Sequence, residues 1–446
     1  LAPPHAHRNA VTASDSRTTP HTPTHPPLES YRDATRNYRD RAADLLARMT
    51  IDEKIAQLLH PWENDDEKTV EKYGSHGVGF LYTFWIKDPD AVQRRIMERS
   101  RLGIPVAFVQ EAHPSGAAGG TIFPSTSTLS LSWDPELVER VQSVIARESR
   151  AVNARLTYSP NIDVHTDPRF GRIEEGFGED ALLTSRMAAA SVRGLQGGKR
   201  WGETLDGDHI AAVAKHFAAY GRTENGQDGS GADLSERTLR EIYLPPFKAA
   251  VEAGTFAIMP AHNEVNGVPC HANRMLLGGI LRGEWGFPGI VIGDYTDTVG
   301  LCGYGIAKDP EHAARLSISA GVDIDMGGKC YAELKAAVEA GRIAMDVIDR
   351  AVRTCLEFKF LLGLFEEPFC NKGRAAELDC PAHRALALEA ARKSLVLLKN
   401  DGVLPLRKGM KRIAVLGALA TDEKAQVGGY TQFGAKIVTV LEGIRA

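Results

Sequence analysis

Short, continuously apolar runs alternate along this chain with longer stretches in which apolar residues recur every three or four positions. The first kind reads as strands buried on both faces, the second as helices covering them. Strands are expected over 77–82, 104–109, 156–158, 210–214, 256–259, 290–292 and 322–323. Helices are expected over 89–99, 133–152, 181–195, 235–252, 274–285, 311–319 and 331–340. The helix over 133–152 opens on Asp134-Pro135, with proline at its favoured first position. The stretch 41–59 keeps helical spacing, broken by a capping pattern from Thr50 to Glu53. Repeated βα units with few hairpin signals predict an α/β fold on a parallel sheet, closed into a (β/α)8 TIM-like barrel. A doubly wound open sheet is the alternative, but no Gly-x-Gly-x-x-Gly follows the first strand.

The pattern changes at both ends. Residues 1–30 are rich in His, Pro, Thr and Ala without an apolar segment, and read as a disordered leader. The barrel is expected over 31–365, and 366–384, with weak periodicity, reads as a linker. From 385 a new unit begins with an Ala/Leu-rich helix to Leu397, followed by the apolar run 412–417 with the pattern of a buried strand. About thirty residues follow that run, too few for an independent α/β domain. Residues 385–446 therefore read as the N-terminal part of a C-terminal α/β sandwich domain, inside which the chain stops.

Composition narrows the function classes. The 446 residues carry 53 basic and 57 acidic side chains, a net charge of −4, which gives no electrostatic case for nucleic acid or a membrane surface. No apolar run approaches the roughly 20 residues of a membrane span. The reading is a soluble protein, cytoplasmic or secreted/periplasmic, with no signal peptide in the chain as given. Six cysteines lie in the second half without a Cys-x-x-Cys pair, so free thiols are expected and Cys370/Cys380 is the one pair to test for a bridge.

Candidate chemistry gathers where strands are expected to end, which is where parallel barrels build their sites. Gln110-Glu111 follows one strand, Lys215-His216 another, His262-Asn263 a third, and Asp294 and Asp323 two more. The loop after the strand at 156 carries Asp163, His165, Asp167, Arg169 and Arg172. Each has a plainer reading. Asp294 could cap the next helix, Lys215-His216 could be a salt-bridged strand end, and Asp323 and Asp325 could order loops. Of the two arginines, Arg169 suits a loop-fixing ion pair and Arg172 a ligand, while His113 is balanced between roles. Carboxylates, Lys, Arg and His with Phe170, Tyr220 and Tyr295 nearby suit a neutral, hydroxyl-rich ligand such as a sugar. A metal on Asp163, His165 and Asp167 is disfavoured by the adjacent arginines, and no Gly-rich phosphate nest is evident.

Several stretches taken in order are more specific. They are Met49-Thr-Ile-Asp-Glu-Lys-Ile-Ala-Gln57, Thr121-Ile-Phe-Pro124, Ser159-Pro-Asn-Ile-Asp163, Asp167-Pro-Arg-Phe-Gly-Arg-Ile-Glu-Glu175, Gly178-Glu-Asp180, Lys215-His-Phe217, Trp285-Gly-Phe287, Gly289-Ile-Val-Ile-Gly-Asp-Tyr295, Ala320-Gly-Val-Asp323 and Leu397-Leu-Lys-Asn-Asp401. Through them the chain resembles glycoside hydrolase family 3, the β-glucosidase/β-xylosidase type, from about Tyr31 to its last residue. The resemblance implies a barrel followed by an α/β sandwich, and a retaining, exo-acting β-glycosidase that hydrolyses terminal β-glucosides or β-xylosides. It implies that Asp294 is the nucleophile and that Glu111, Arg172, Lys215 and His216 hold the sugar. His262 and Tyr295 join them as candidate substrate-binding residues. No metal or cofactor is implied; the partner is a small-molecule or oligosaccharide substrate, and a homodimer stays open.

The chain departs from the family pattern in places. Gly293 stands before the nucleophile where Ser is usual, His262 where an aromatic residue is often found, and Ala112-His-Pro-Ser-Gly116 where Ala-Leu-His-Gly or a relative is usual. Glu111 and the stretch 267–273 resemble the β-xylosidase and related bacterial branch more than the fungal β-glucosidase branch. Ala218-Ala-Tyr-Gly221 replaces the loop that carries a histidine proton donor in the hexosaminidase branch. In the other branches a carboxylate of the second domain, beyond residue 446, is the general acid/base. Glu224, Asp228 and Asp233 are possible substitutes, and a degenerate, non-catalytic sugar-binding barrel is the alternative to an enzyme.

Overall fold

The structure, a computed structural model, describes residues 30–112, 117, 119–327, 330–370, 372–427, 430–431, 434 and 436–446. The leader up to residue 29 and His113 lie outside the described residues. Six strands pair in parallel in chain order: β1 (Phe80–Tyr82), β2 (Ala107–Gln110), β3 (Leu156–Thr157), β4 (Ala211–Phe217), β5 (Ala257–Pro260) and β6 (Ile290–Val291). Two more strands, β7 (Leu59–His60) and β8 (Asp325–Met326), pair in parallel with each other. A bridge from Ile292 to Ile324 ties this pair to β6, and the Gly79 N–H donates to the Ala56 carbonyl (2.9 Å) beside β1. The result is the TIM-like barrel of the pattern.

Side-chain alternation decides what each strand residue touches. Phe80, Tyr82, Val109, Leu156, Val213, Met259, Ile290 and Ile292 share one buried cluster, which runs through the barrel interior and continues into the helices Tyr38–Arg48 and Met345–Leu361. Their neighbours Ala212, Ala214, Ile258 and Val291 pack outward against the helices Pro135–Ala151, Ala181–Gln196 and Pro245–Ala253. Asp134 caps the first of these, accepting from the Leu137 N–H at 3.0 Å, and Thr50 and Glu53 form a reciprocal capping box.

Three boundaries differ from the pattern. The helical spacing over 41–59 hides β7: the second helix ends at Gln57 and the next residues enter the barrel. β4 continues to Phe217, so Lys215 and His216 lie inside its end. The strand expected at 322–323 forms at Asp325–Met326. The run 412–417 forms no strand; its residues are mostly exposed and meet no partner strand among the described residues. None of the six cysteines is in a disulfide, and Cys370 and Cys380 are not bridged to each other.

Candidate active site

At the C-terminal ends of the strands lies a cavity of about 370 Å³. Its polar lining is Glu111, Arg172, Lys215, His216, His262 and Asp294. The rest of its lining is largely aromatic, with Trp62, Tyr82, Phe84, Trp85, Tyr295 and Tyr430 beside Met326. All seven candidate site residues therefore share one cavity.

Asp294 occupies the floor. Gly293 donates its N–H to the Ile324 carbonyl (2.8 Å), which carries the chain from β6 across to the β8 side. The Asp294 N–H then donates to Nε2 of His271 (2.9 Å), and its Oδ1 accepts from the Tyr295 N–H (2.7 Å). Oδ2 has Nε2 of His262 at 3.0 Å and Nε2 of the neutral His216 at 3.6 Å, but no aligned hydrogen-bond donor among the described residues. The helix Asp297–Gly303 takes no side-chain cap, so Asp294 is not spent on capping it. Burial alone would favour the neutral acid, but the charge of His262 above all, with that of Lys215, holds Asp294 well below the usual carboxylate range.

The surrounding groups are fixed in turn. Arg172 lies bidentate on Glu175, both N–O distances 2.7 Å, and donates to Tyr220 at 3.1 Å and to Nε2 of His216 at 3.4 Å. His216 donates from Nδ1 to Asp163 (2.8 Å); burial, then Arg172 and Lys215, push its pKa well down, so it is neutral with a lone pair on Nε2. Lys215 meets Glu111 at 3.2 Å, and Tyr82 donates to the other Glu111 oxygen at 2.7 Å. Burial works against the Lys215 charge, but Glu111 raises its pKa.

His216, His262 and Asp294 bring donor atoms within 4.8 Å of one another. They do not make a cation site, because Lys215 and Arg172 face the same space and His262 would have to give up a proton held by two carboxylates. Nor does the alternative metal set assemble: Asp163 faces His216, while Asp167 pairs with the exposed Arg169 at 2.6 Å. Asp323 accepts from Arg282 and the Val291 N–H, and Asp325 from the N–H groups of Cys330 and Tyr331, so both order structure. Asp228 accepts from Tyr220, and neither it nor Glu224 or Asp233 lines the cavity.

The N-terminal domain model of glycosyl hydrolase family 3 matches residues 50–358, and the C-terminal domain model of that family matches 395–446. The chain belongs to glycosyl hydrolase family 3. It is 38% identical over 417 residues to a periplasmic beta-glucosidase of Salmonella typhimurium, covering 90% of this chain and 53% of that protein. It is 36% identical over 429 residues to a beta-xylosidase of Formosa agariphila, covering 91% and 55%. A beta-glucosidase from Listeria innocua, solved in complex with glucose, superposes with a TM-score of 0.84 at 33% identity, covering 91% of this chain and 58% of that one. The chain thus spans about half the length of the curated relatives it matches. No helix among the described residues is long and apolar enough to cross a membrane.

Several lining residues escaped the sequence reading. Trp62 and Trp85 follow β7 and β1, so recognising β7 would have placed Trp62 at a strand end. Tyr430 reaches the cavity from the C-terminal segment, its hydroxyl 3.5 Å from Arg172 and its ring 5.5 Å from the Lys215 ammonium. No local pattern marks it.

Proposed function

We propose that this chain carries the nucleophile and the sugar subsite of a retaining, exo-acting β-glycosidase that releases terminal β-linked glucose or xylose. The observation that carries this reading is the buried, ionised Asp294, which lines one cavity together with Glu111, Arg172, Lys215 and His216. In the proposed first step a lone pair of the Asp294 carboxylate forms a bond to the anomeric carbon while the bond to the leaving oxygen breaks. Water then attacks the same carbon, releasing a proton to solvent, and the bond to Asp294 breaks so that its carboxylate leaves. Arg172, Lys215, Glu111 and His216 are the groups proposed to hold the sugar hydroxyls. A cavity of about 370 Å³ is at the small end of ligand pockets and suits one ring with part of a leaving group.

The leaving oxygen of an ordinary glycoside needs a proton. Glu111, the other carboxylate lining the cavity among the described residues, is engaged by Tyr82 and Lys215. We therefore expect slow turnover of ordinary glycosides by this chain, but rapid glycosylation of Asp294 when the leaving group departs as a stable phenolate. Dinitrophenyl 2-deoxy-2-fluoro-β-glucoside and the matching xyloside test this. A sugar adduct on the peptide containing Asp294 supports the reading. Bound sugar without any adduct, and no aryl-glycoside turnover sensitive to Asp294→Ala, would favour the non-catalytic sugar-binding alternative. The larger adduct yield of the two sugars assigns the specificity.

A further inference from the structure

Asp297 does not line the cavity, yet two histidines that hold Asp294 both turn to it. His262 donates from Nδ1 to Asp297 Oδ2 at 2.7 Å and presents Nε2 to Asp294 Oδ2 at 3.0 Å. His271 has Nδ1 3.5 Å from the same Asp297 oxygen, while its Nε2 accepts the Asp294 backbone N–H at 2.9 Å. One carboxylate oxygen thus backs a grip on the side chain and a grip on the main chain of the same residue. We propose that Asp297 is the positioning residue for the Asp294 nucleophile, acting through His262 and His271.

The local backbone is built for this. Thr296 sits at φ 62°, a left-handed conformation that a β-branched residue adopts only under constraint, with its N–H donated to the Met326 carbonyl (3.0 Å). That turn brings Asp297, at the start of the following helix, back beside the nucleophile. The end of that helix closes the unit: Tyr304 donates to the His262 carbonyl at 3.0 Å. There is no room for a larger residue before Asp294, since a Cβ on Gly293 would lie 2.9 Å from the Ile324 carbonyl oxygen and 3.5 Å from the His271 ring.

Charge follows the geometry. Burial works against a charged His262, but Asp294 and Asp297 outweigh it and raise its pKa far above that of a free imidazole. His271 goes the other way, kept neutral mainly by burial, as its accepting Nε2 requires. From the other side, Lys215 and His216 on β4 and Arg172 on the loop after β3 face Asp294, with Glu111 and Tyr82 behind Lys215. On the Asp297 side the Cys270 thiol, Glu264 and the Tyr304 hydroxyl contribute only at longer range. His262 is therefore the cation closest to Oδ2, and Asp297 is what holds it there.

The proposal rests on Asp294 being the nucleophile, so the experiment reads His262 separately from catalysis. In the full chain, NMR titration of His262 should show an imidazolium that persists above pH 7, and Asp297→Asn should bring its titration back toward an ordinary imidazole. In the same variant the rate of Asp294 glycosylation by a dinitrophenyl glycoside should fall about 10- to 100-fold. Its acid limb should move to higher pH, because Asp294 loses its nearest cation. Asp297→Glu should recover part of both, and His262→Gln should reproduce the pH shift without the NMR signal. A His262 titration unchanged by Asp297→Asn overturns the proposal, as does a rate loss in that variant with an unmoved pH limb. Absence of any Asp294 adduct in the wild type would refute the nucleophile assignment instead, and the His262 titration would still decide whether Asp297 governs the histidine.

Discussion

His216 donates its Nδ1–H to Asp163 across 2.8 Å, and both groups are shut away from solvent. The bond fixes the ring so that Nε2 faces Asp294 and receives Arg172. Asp163→Asn removes the anionic acceptor, and we expect sugar binding or the glycosylation rate to fall by on the order of tenfold or more. Burial pushes the Asp163 carboxyl up to about 7, against the pull of the His216 N–H and Arg172. The folded chain therefore holds a proton between the ordinary carboxylate range and about pH 7 that the unfolded chain has released. That contribution to stability is present at low pH and is lost as pH rises through about 7. Urea midpoints of wild type and Asp163→Asn should diverge in favour of the wild type as pH falls from 8 to 5. A gap that narrows toward acid contradicts the assignment.

Tyr430 joins the C-terminal segment to the proposed sugar subsite through its ring rather than its hydroxyl. The ring centroid is 5.5 Å from the Lys215 ammonium, whereas the hydroxyl contact to Arg172 is long at 3.5 Å. Tyr430→Phe should bind a monosaccharide inhibitor within about twofold of wild type. Tyr430→Ala should weaken binding by roughly 1 kcal/mol, the size of a partly buried cation–π contact. Calorimetric titration of both variants checks this, and equal losses would assign the contact to the hydroxyl.

The barrel and its polar mouth were legible in the sequence for one physical reason. Fully buried strands such as Ile290–Val291 are unbroken apolar runs, and the residues just past their C-terminal ends lie at the ligand-bearing edge. Asp294, Lys215, His216, Glu111 and His262 were found that way. Leu59–His60 was hidden because two strand residues at the end of a helical pattern do not change its period. Trp62 was lost with it. The pairing of His262 with Asp297 spans 35 residues and depends on the left-handed turn at Thr296, which no spacing encodes. The run 412–417 is apolar as a buried strand would be, but a strand needs a partner to pair with.

Gly293 explains its own departure from the family's usual Ser. An added Cβ would meet the Ile324 carbonyl oxygen at 2.9 Å and Val322 Cγ1 at 3.3 Å, the first a backbone atom fixed in the barrel wall. Gly293→Ser should therefore destabilise the fold by about 1–3 kcal/mol, as overpacking does. It should also slow glycosylation of Asp294 by displacing the His271 grip. Denaturant titration and the adduct-forming rate measure the two effects, and a variant as stable and as fast as wild type would show that the wall yields freely.

Lys359 tests the opposite face of the barrel. Its ammonium is buried and donates to Gln57 Oε1 at 2.6 Å and to the Pro105 carbonyl at 2.7 Å, both just before strands begin. Lys359→Met leaves those acceptors unpaired, so we expect a loss of about 2–4 kcal/mol in stability. Because the strand C-termini are untouched, the folded fraction should keep its glycosylation rate. Burial pushes the Lys359 pKa down to about 8. Between that value and the ordinary lysine range the unfolded chain binds a proton that the folded chain lacks, so this group adds stability as pH rises above 8. Denaturant midpoints from pH 7 to 10 should therefore rise more steeply in the wild type than in Lys359→Met. Parallel pH profiles for the two proteins would mean that the buried ammonium keeps its proton throughout.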